Sequence, residues 1–235
     1  MGKRSKALII TVVCVVLLGG VAAYAAPAIY RDFIAEPAAK APMLSADDSA
    51  LAPSASGPLD PSTLSGQWNV TTGSFAGYRV DEVLNGSNVT VTGRSEQVTG
   101  SLTLDGLTLQ AAQFEVDVAS IRTDSSQRDR YFSDQALRAS ANPKATFVLT
   151  TPVTIATAPK AGEVIEQQVE GDLTIAGVTK PVSFTVQLRS DGASTHIAGQ
   201  IPITFADYGV EAPNLGFVSV EPTGFVEFEL VAKKA

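Results

Sequence analysis

The sequence predicts a mainly β, antiparallel domain with one short helix at one end, preceded by an N-terminal transmembrane helix and a disordered linker. Three observations carry this. From Gln67 onward, apolar and polar residues alternate with period two, as in strands with one buried face and one wet face. Glycine-containing turns recur at short intervals, as hairpin connections require. Only residues 120–147 combine helical spacing with polar flanks.

The chain has 235 residues and a formal net charge of −7. Residues 1–6 carry Lys3, Arg4 and Lys6 and precede an uncharged apolar run over residues 7–26. A run of about twenty apolar residues spans a bilayer as a helix, and basic residues before it stay on the cytoplasmic side. Residues 1–6 then form a cytoplasmic tip, and residues 7–30 a single-pass signal-anchor, because apolar character resumes at Ile29 and Tyr30. The alternative is a signal peptide cleaved near Ala25, after the small-x-small sequence Ala23-Tyr24-Ala25. Either way the C-terminal domain lies outside the cytoplasm. Residues 31–65 are rich in Pro, Ala and Ser. Such a segment buries too little apolar surface to offset its ordering entropy, so it reads as a flexible linker, with the domain over residues 66–235.

Within the domain, Trp68 and Val70 open the first strand, followed by Tyr78 and Val80, then Val89 and Val91. Residues 99–104 lead to an Asp105-Gly106 turn. The return strand, over residues 107–121, is expected to be the longest, with Phe114, Val116 and Val118 on one face and Glu115 and Asp117 on the other. In the helix, Asp124 is the expected cap, with Gln127 completing a capping box. Phe132, Ala136 and Leu137 share one face, and Asn142-Pro143 is the expected stop. Phe147 and Leu149 resume the strands. Leu173 and Ile175 turn at Ala176-Gly177 into Val182, Phe184 and Val186, and Asp191-Gly192 turns into Ile197, Ile201, Ile203 and Phe205. The last strand points Val226, Phe228 and Leu230 inward and Glu227 and Glu229 outward. Eight to ten such strands close into a barrel or split into a sandwich.

Composition excludes several functions. The chain is acidic and has no basic patch to neutralise phosphates, so it is not a nucleic-acid binder. It has one cysteine, Cys14, and one histidine, His196, which rules out a disulfide framework and a Cys/His metal cluster. His196 reads as a surface residue on a strand. Glu115, Asp117, Glu227 and Glu229 are expected on solvated outer faces, away from any cavity, so no glycosidase pair forms. Neither a nucleophile elbow nor a phosphate-binding glycine loop is present, and no cofactor is expected. For Arg128-Asp129, the helix dipole accounts for Asp129 and pairing with strand carboxylates accounts for Arg128. A head-group contact at a barrel mouth is the other reading of this pair.

Five blocks stand in order between residues 66 and 230. They are the Trp68 strand followed by GYRVDEV; VTGSLTLDG with a strand ending in SIRTD; RDRYFSDQALRASANPKATF; GDLTIAGVTKPVSF; and ITFADYGVEAPNLGFVSV. Together they resemble the YceI-like family, exported proteins with a lipocalin-like β-barrel. The chain departs from the family after Trp68, where many members have an acidic residue and His-Ser. Here the run is WNVTTGSFAGYRV, with no histidine. This variant is similar to a membrane-tethered subgroup.

The resemblance implies binding rather than catalysis. The ligand would be a polyisoprenoid or an isoprenoid quinone, held in the barrel for carriage or sequestration. The implied partners are that lipid and, through the N-terminal helix, the membrane, with room for a homodimer. The expected ligand-binding set is the inward one: Trp68, Tyr78, Phe114, Val116, Phe132, Phe147, Leu173, Phe184, Ile203, Phe205 and Phe228. An apolar tunnel desolvates a lipid chain at about 25 cal/mol per Å² of apolar surface. The competing expectation is a cell-surface structural or interaction module with a fully packed β core. The helix would plug one barrel end and decide between the two.

Overall fold

A computed structural model describes residues 38–45, 57–84, 86–214, 216 and 218–235. Residues 7–30, the expected membrane anchor, lie outside these. Among the described residues no helix is long and apolar enough to cross a membrane.

The strands are β1 (Gly66–Val70), β2 (Phe75–Leu84), β3 (Ser87–Ser95), β4 (Val98–Asp105), β5 (Thr108–Asp117), β6 (Lys144–Leu149), β7 (Val153–Thr154), β8 (Val164–Ile175), β9 (Val178–Ser190), β10 (Ser194–Thr204) and β11 (Val218–Lys234). They form a single sheet, and its pairings are antiparallel. β1 and β2 follow one edge of β11 in nearly continuous register, with Trp68 opposite Lys234 and Phe75 opposite Glu229. β4 and β3 continue alongside them in the same way. β1–β2 is therefore one long strand bent at residues 71–74, and β3–β4 is another bent at residues 96–97. With β5, β6, β8, β9, β10 and β11 they close an eight-strand barrel. Closure through β11 decides against a sandwich. The first bend is held by Ser74, whose hydroxyl donates to the Thr71 carbonyl at 2.7 Å and accepts from the Val231 N–H at 2.9 Å.

The turns follow the sequence. Ala176 and Gly177 both take positive φ, 50° and 80°, as a tight two-residue hairpin loop requires. β5 is shorter than expected. It stops at Asp117, whose carboxylate accepts the Ala119 N–H at 2.9 Å and starts a 3-10 turn over Val118–Ser120. The longest strand is β11, with 17 residues.

Among the described residues there are two short α-helices, α1 (Pro61–Leu64) and α2 (Ser126–Tyr131), the second extended by one wider turn over Phe132–Ala136. Ser125, not Asp124, caps α2, its hydroxyl accepting the Arg128 N–H at 3.4 Å. Asp124 instead receives the Arg128 guanidinium at 2.5 Å. The helix also ends before Asn142-Pro143. Arg138 turns left-handed at φ 50°, and the Asn142 side-chain amide donates to the Leu137 carbonyl at 3.1 Å.

Two parts of the expected linker are bound to the barrel. Residues 57–65 close one end with Leu59 and Leu64, both buried, and the Leu59 N–H donates to the Pro159 carbonyl at 2.9 Å. Residues 38–45 form a strap over the outer wall. The Ala39 N–H donates to Thr92 Oγ1 at 3.4 Å on β3, and the Leu44 N–H to Gln187 Oε1 at 2.9 Å on β9. In return, Arg79, Arg94 and Arg189 donate to the carbonyls of Ala39, Lys40 and Ser45. Composition pointed to disorder because it does not register these guanidinium contacts. Nor does it register the isolated leucines at 44, 59 and 64, which the folded chain buries.

Candidate functional site

The barrel interior is not filled. A smaller chamber of about 190 Å³ lies at the end closed by Leu59, Leu64 and Trp68. A larger one of about 470 Å³ lies beneath α2. Ala76, Val116, Ala145, Leu173 and Val226 border both, so the two abut along the barrel. Of the expected ligand-binding residues, Trp68, Phe114, Phe147, Phe184 and Phe228 line the smaller chamber. Tyr78, Phe132, Ile203 and Phe205 line the larger, and Val116 and Leu173 line both. All eleven are brought to one lumen.

Space survives beside so many rings because several lie over glycines. Tyr78, Phe114 and Phe228 sit directly opposite Gly93, Gly100 and Gly199 on adjacent strands. A Cβ at these glycines would come within 2.5, 2.5 and 2.8 Å of ring atoms. Each ring therefore occupies the space of the missing side chain instead of standing into the lumen. Around the smaller chamber, Phe147 meets Phe184 edge-on at 5.4 Å and Phe184 meets Phe228 edge-on at 6.0 Å. Such pairs contribute about 0.5–1.5 kcal/mol beyond area burial.

The helix covers a gap in the wall. Where β5 has ended, β3 is linked to the segment before α2 by the bridge between Arg94 and Arg122 and by a hydrogen bond between the Ser95 and Ser120 hydroxyls. Residues 118–137 fill this space with Val118, Ile121 and Leu137, all buried. Phe132 stacks on Tyr78, with ring centroids 4.4 Å apart and planes at 21°. Phe132→Asp is thus expected to reduce ligand retention, or stability, far more than Arg130→Ala, since Arg130 is exposed. Lipid extraction and thermal unfolding of both variants would check this, and equal effects would mean that the helix does not cover the lumen.

The interior is not wholly apolar, contrary to what inward parity suggested. Glu82 follows Tyr78 and Val80 inward on β2, lines the larger chamber and is 5% exposed. Arg128 of α2 reaches it at 3.0 Å. Burial pulls the Arg128 guanidinium down, but Glu82 and Asp124 outweigh it and hold the group above the usual arginine range. Burial likewise drives the Tyr78 hydroxyl above the ordinary phenol range. Sequence reasoning missed Glu82, although the alternation in GYRVDEV points it inward. Asp129 is structural, its carboxylate accepting the Thr123 N–H at 2.8 Å and hydroxyl at 2.7 Å.

The outer carboxylates divide. Glu115 pairs with Lys144 at the surface, as expected. Glu227 does face outward but is not solvated; it is 0% exposed beneath the strap. His196 is half-buried on β10. Among the described residues no cluster of His, Cys, Asp and Glu could hold a metal ion.

This architecture defines a class: closed antiparallel barrels with an internal cavity and a helical cover. The YceI-like domain matches residues 68–232, and the chain belongs to that family. Several solved structures share the fold, among them these two. One is a polyisoprenoid binding domain from Saccharophagus degradans implicated in plant cell wall breakdown, 21% identical with a TM-score of 0.58, covering 72% of this chain and 98% of that one. The other is BcnA from Burkholderia cenocepacia, 23% identical with a TM-score of 0.53, covering 66% of this chain and 96% of that one. No curated protein matches the chain.

Proposed function

We propose that the domain binds a long-chain amphiphile, a polyisoprenoid or an isoprenoid quinone, inside the barrel. It carries or sequesters that lipid without catalysis. The observation behind this reading is the pair of abutting apolar chambers with one ion pair at one end. The larger, at about 470 Å³, falls within the roughly 300–1,000 Å³ range of small-molecule sites. Each buried methylene contributes about 0.8 kcal/mol, so a prenyl chain needs few polar anchors. The similar fold from Saccharophagus degradans is described as polyisoprenoid binding. The voids argue against the competing reading, a module with a fully packed core. Glu82 and Arg128 are held in one ion pair, which favours a binding role for them.

In the same proposal, residues 7–30 form the anchor of a membrane-tethered subgroup, and the barrel lies outside the cytoplasm beside the bilayer that holds its ligand. The basic tip and the apolar run support this. The test is solvent extraction of the purified full-length protein followed by mass spectrometry. A co-purified prenyl lipid is expected. Its repeated absence, with no binding of added quinone, would overturn the proposal. Digestion of the barrel by external protease in intact cells tests the placement.

A further inference from the structure

We infer that the larger chamber selects a lipid with an uncharged head group, a prenol hydroxyl or a quinone carbonyl, and rejects prenyl phosphates. The inference rests on the lipid-binding reading and deepens it. Its basis is the charge around the chamber's polar end. Arg128 is the one basic residue lining this chamber among the described residues, while Glu82 and Glu211 both line it. Arg128 is also already held by two carboxylates. Glu82 takes one terminal nitrogen at 3.0 Å and Asp124 the other at 2.5 Å.

One cation shared by two carboxylates leaves the site net negative. A phosphate brings at least one further negative charge and three strong acceptor oxygens. At Arg128 it would compete with Glu82, which is 5% exposed and depends on that guanidinium for its counter-charge while buried.

A neutral head group meets no such barrier and finds a partner already in place. Tyr78 lines the same chamber, and its hydroxyl has no hydrogen-bond partner among the described residues. It lies in the field of Arg128, Asp129, Glu82 and Asp124, and burial keeps it protonated. A protonated phenol both donates and accepts, so it fits a prenol hydroxyl or a quinone carbonyl equally well.

Trp68 supplies the readout. It is the chain's one tryptophan and lines the smaller chamber, so its emission reports on a prenyl tail reaching that end. Delipidated full-length protein would be titrated with a prenol, a prenyl monophosphate and a prenylquinone of matched chain length. The prenol and the quinone should change Trp68 emission, and the monophosphate should bind about tenfold more weakly or worse. Glu82→Gln should narrow that gap by favouring the phosphate. Asp124→Asn, at a more exposed site, should do the same if Glu82→Gln does not fold. Tyr78→Phe should weaken the prenol and quinone alone. A monophosphate that binds as tightly as the prenol would overturn the inference and leave the lipid-binding reading intact. A gap unchanged by the carboxylate variants would overturn it as well. If none of the three lipids binds, the lipid-binding reading itself fails.

Discussion

Glu227→Ala is expected to lower the unfolding free energy by about 3–5 kcal/mol, the range for removing one partner of a buried ion pair, and to release residues 38–45 from the wall. Glu227 is 0% exposed. Each of its oxygens has its own guanidinium: Oε2 accepts from Arg79 Nε at 2.9 Å, and Oε1 from Arg94 Nε at 2.8 Å. The same two arginines hold the strap carbonyls of Ala39 and Lys40, and the Arg94 guanidinium also lies over the Phe75 ring at 4.2 Å. Without the carboxylate, two cations face each other under a peptide that depends on both. The Arg94 side chain is 27% exposed, so water recovers part of its charge, which places the expected loss toward the lower end. Denaturant unfolding gives the magnitude, and amide exchange or limited proteolysis of residues 38–45 gives the release. Lys144→Ala, which breaks the exposed pair with Glu115, should cost about 1 kcal/mol or less. Similar values for the two variants would mean that the triad beneath the strap is solvated.

Trp68→Ala should be comparably severe, at about 3–5 kcal/mol. The indole is 1% exposed and fills the smaller end of the lumen. Its Nε1–H donates to the Leu64 carbonyl at 2.9 Å, joining α1 to the barrel wall. Truncation removes the packing and the bond together and merges the void it leaves with the smaller chamber. The expected signature is a large fall in melting temperature with loss of protection around α1. A fall equivalent to less than about 1 kcal/mol, typical of a surface substitution, would show that Leu59 and Leu64 close that end unaided.

The side-chain parity of the barrel was legible because strands repeat every two residues. Phe228 in and Glu227 out follows from alternation alone. The burial of Glu227 was not legible, because its cover comes from residues 38–45, nearly the whole domain away in sequence and composed like a loose stalk. Glu82 was missed for a related reason. Its inward position follows from Tyr78 and Val80, but a carboxylate is tolerated there only because Arg128 arrives from α2. The two bent strands read as four because the contacts of Ser74 that carry the chain through its bend are tertiary. Alternation named ten of the eleven lumen-facing residues, and helical spacing named Phe132, yet neither could show that a lumen exists. That depends on register, which sets Tyr78, Phe114 and Phe228 opposite glycines.

The strand that closes the ring has a consequence for the order of assembly. β11 is the last of the barrel strands to be synthesised, and it pairs with β10, β2 and β1. It also carries Glu227, on which the strap closes. Ring and strap must both wait for these 17 residues, so the strap, made before any strand, is among the last pieces to dock.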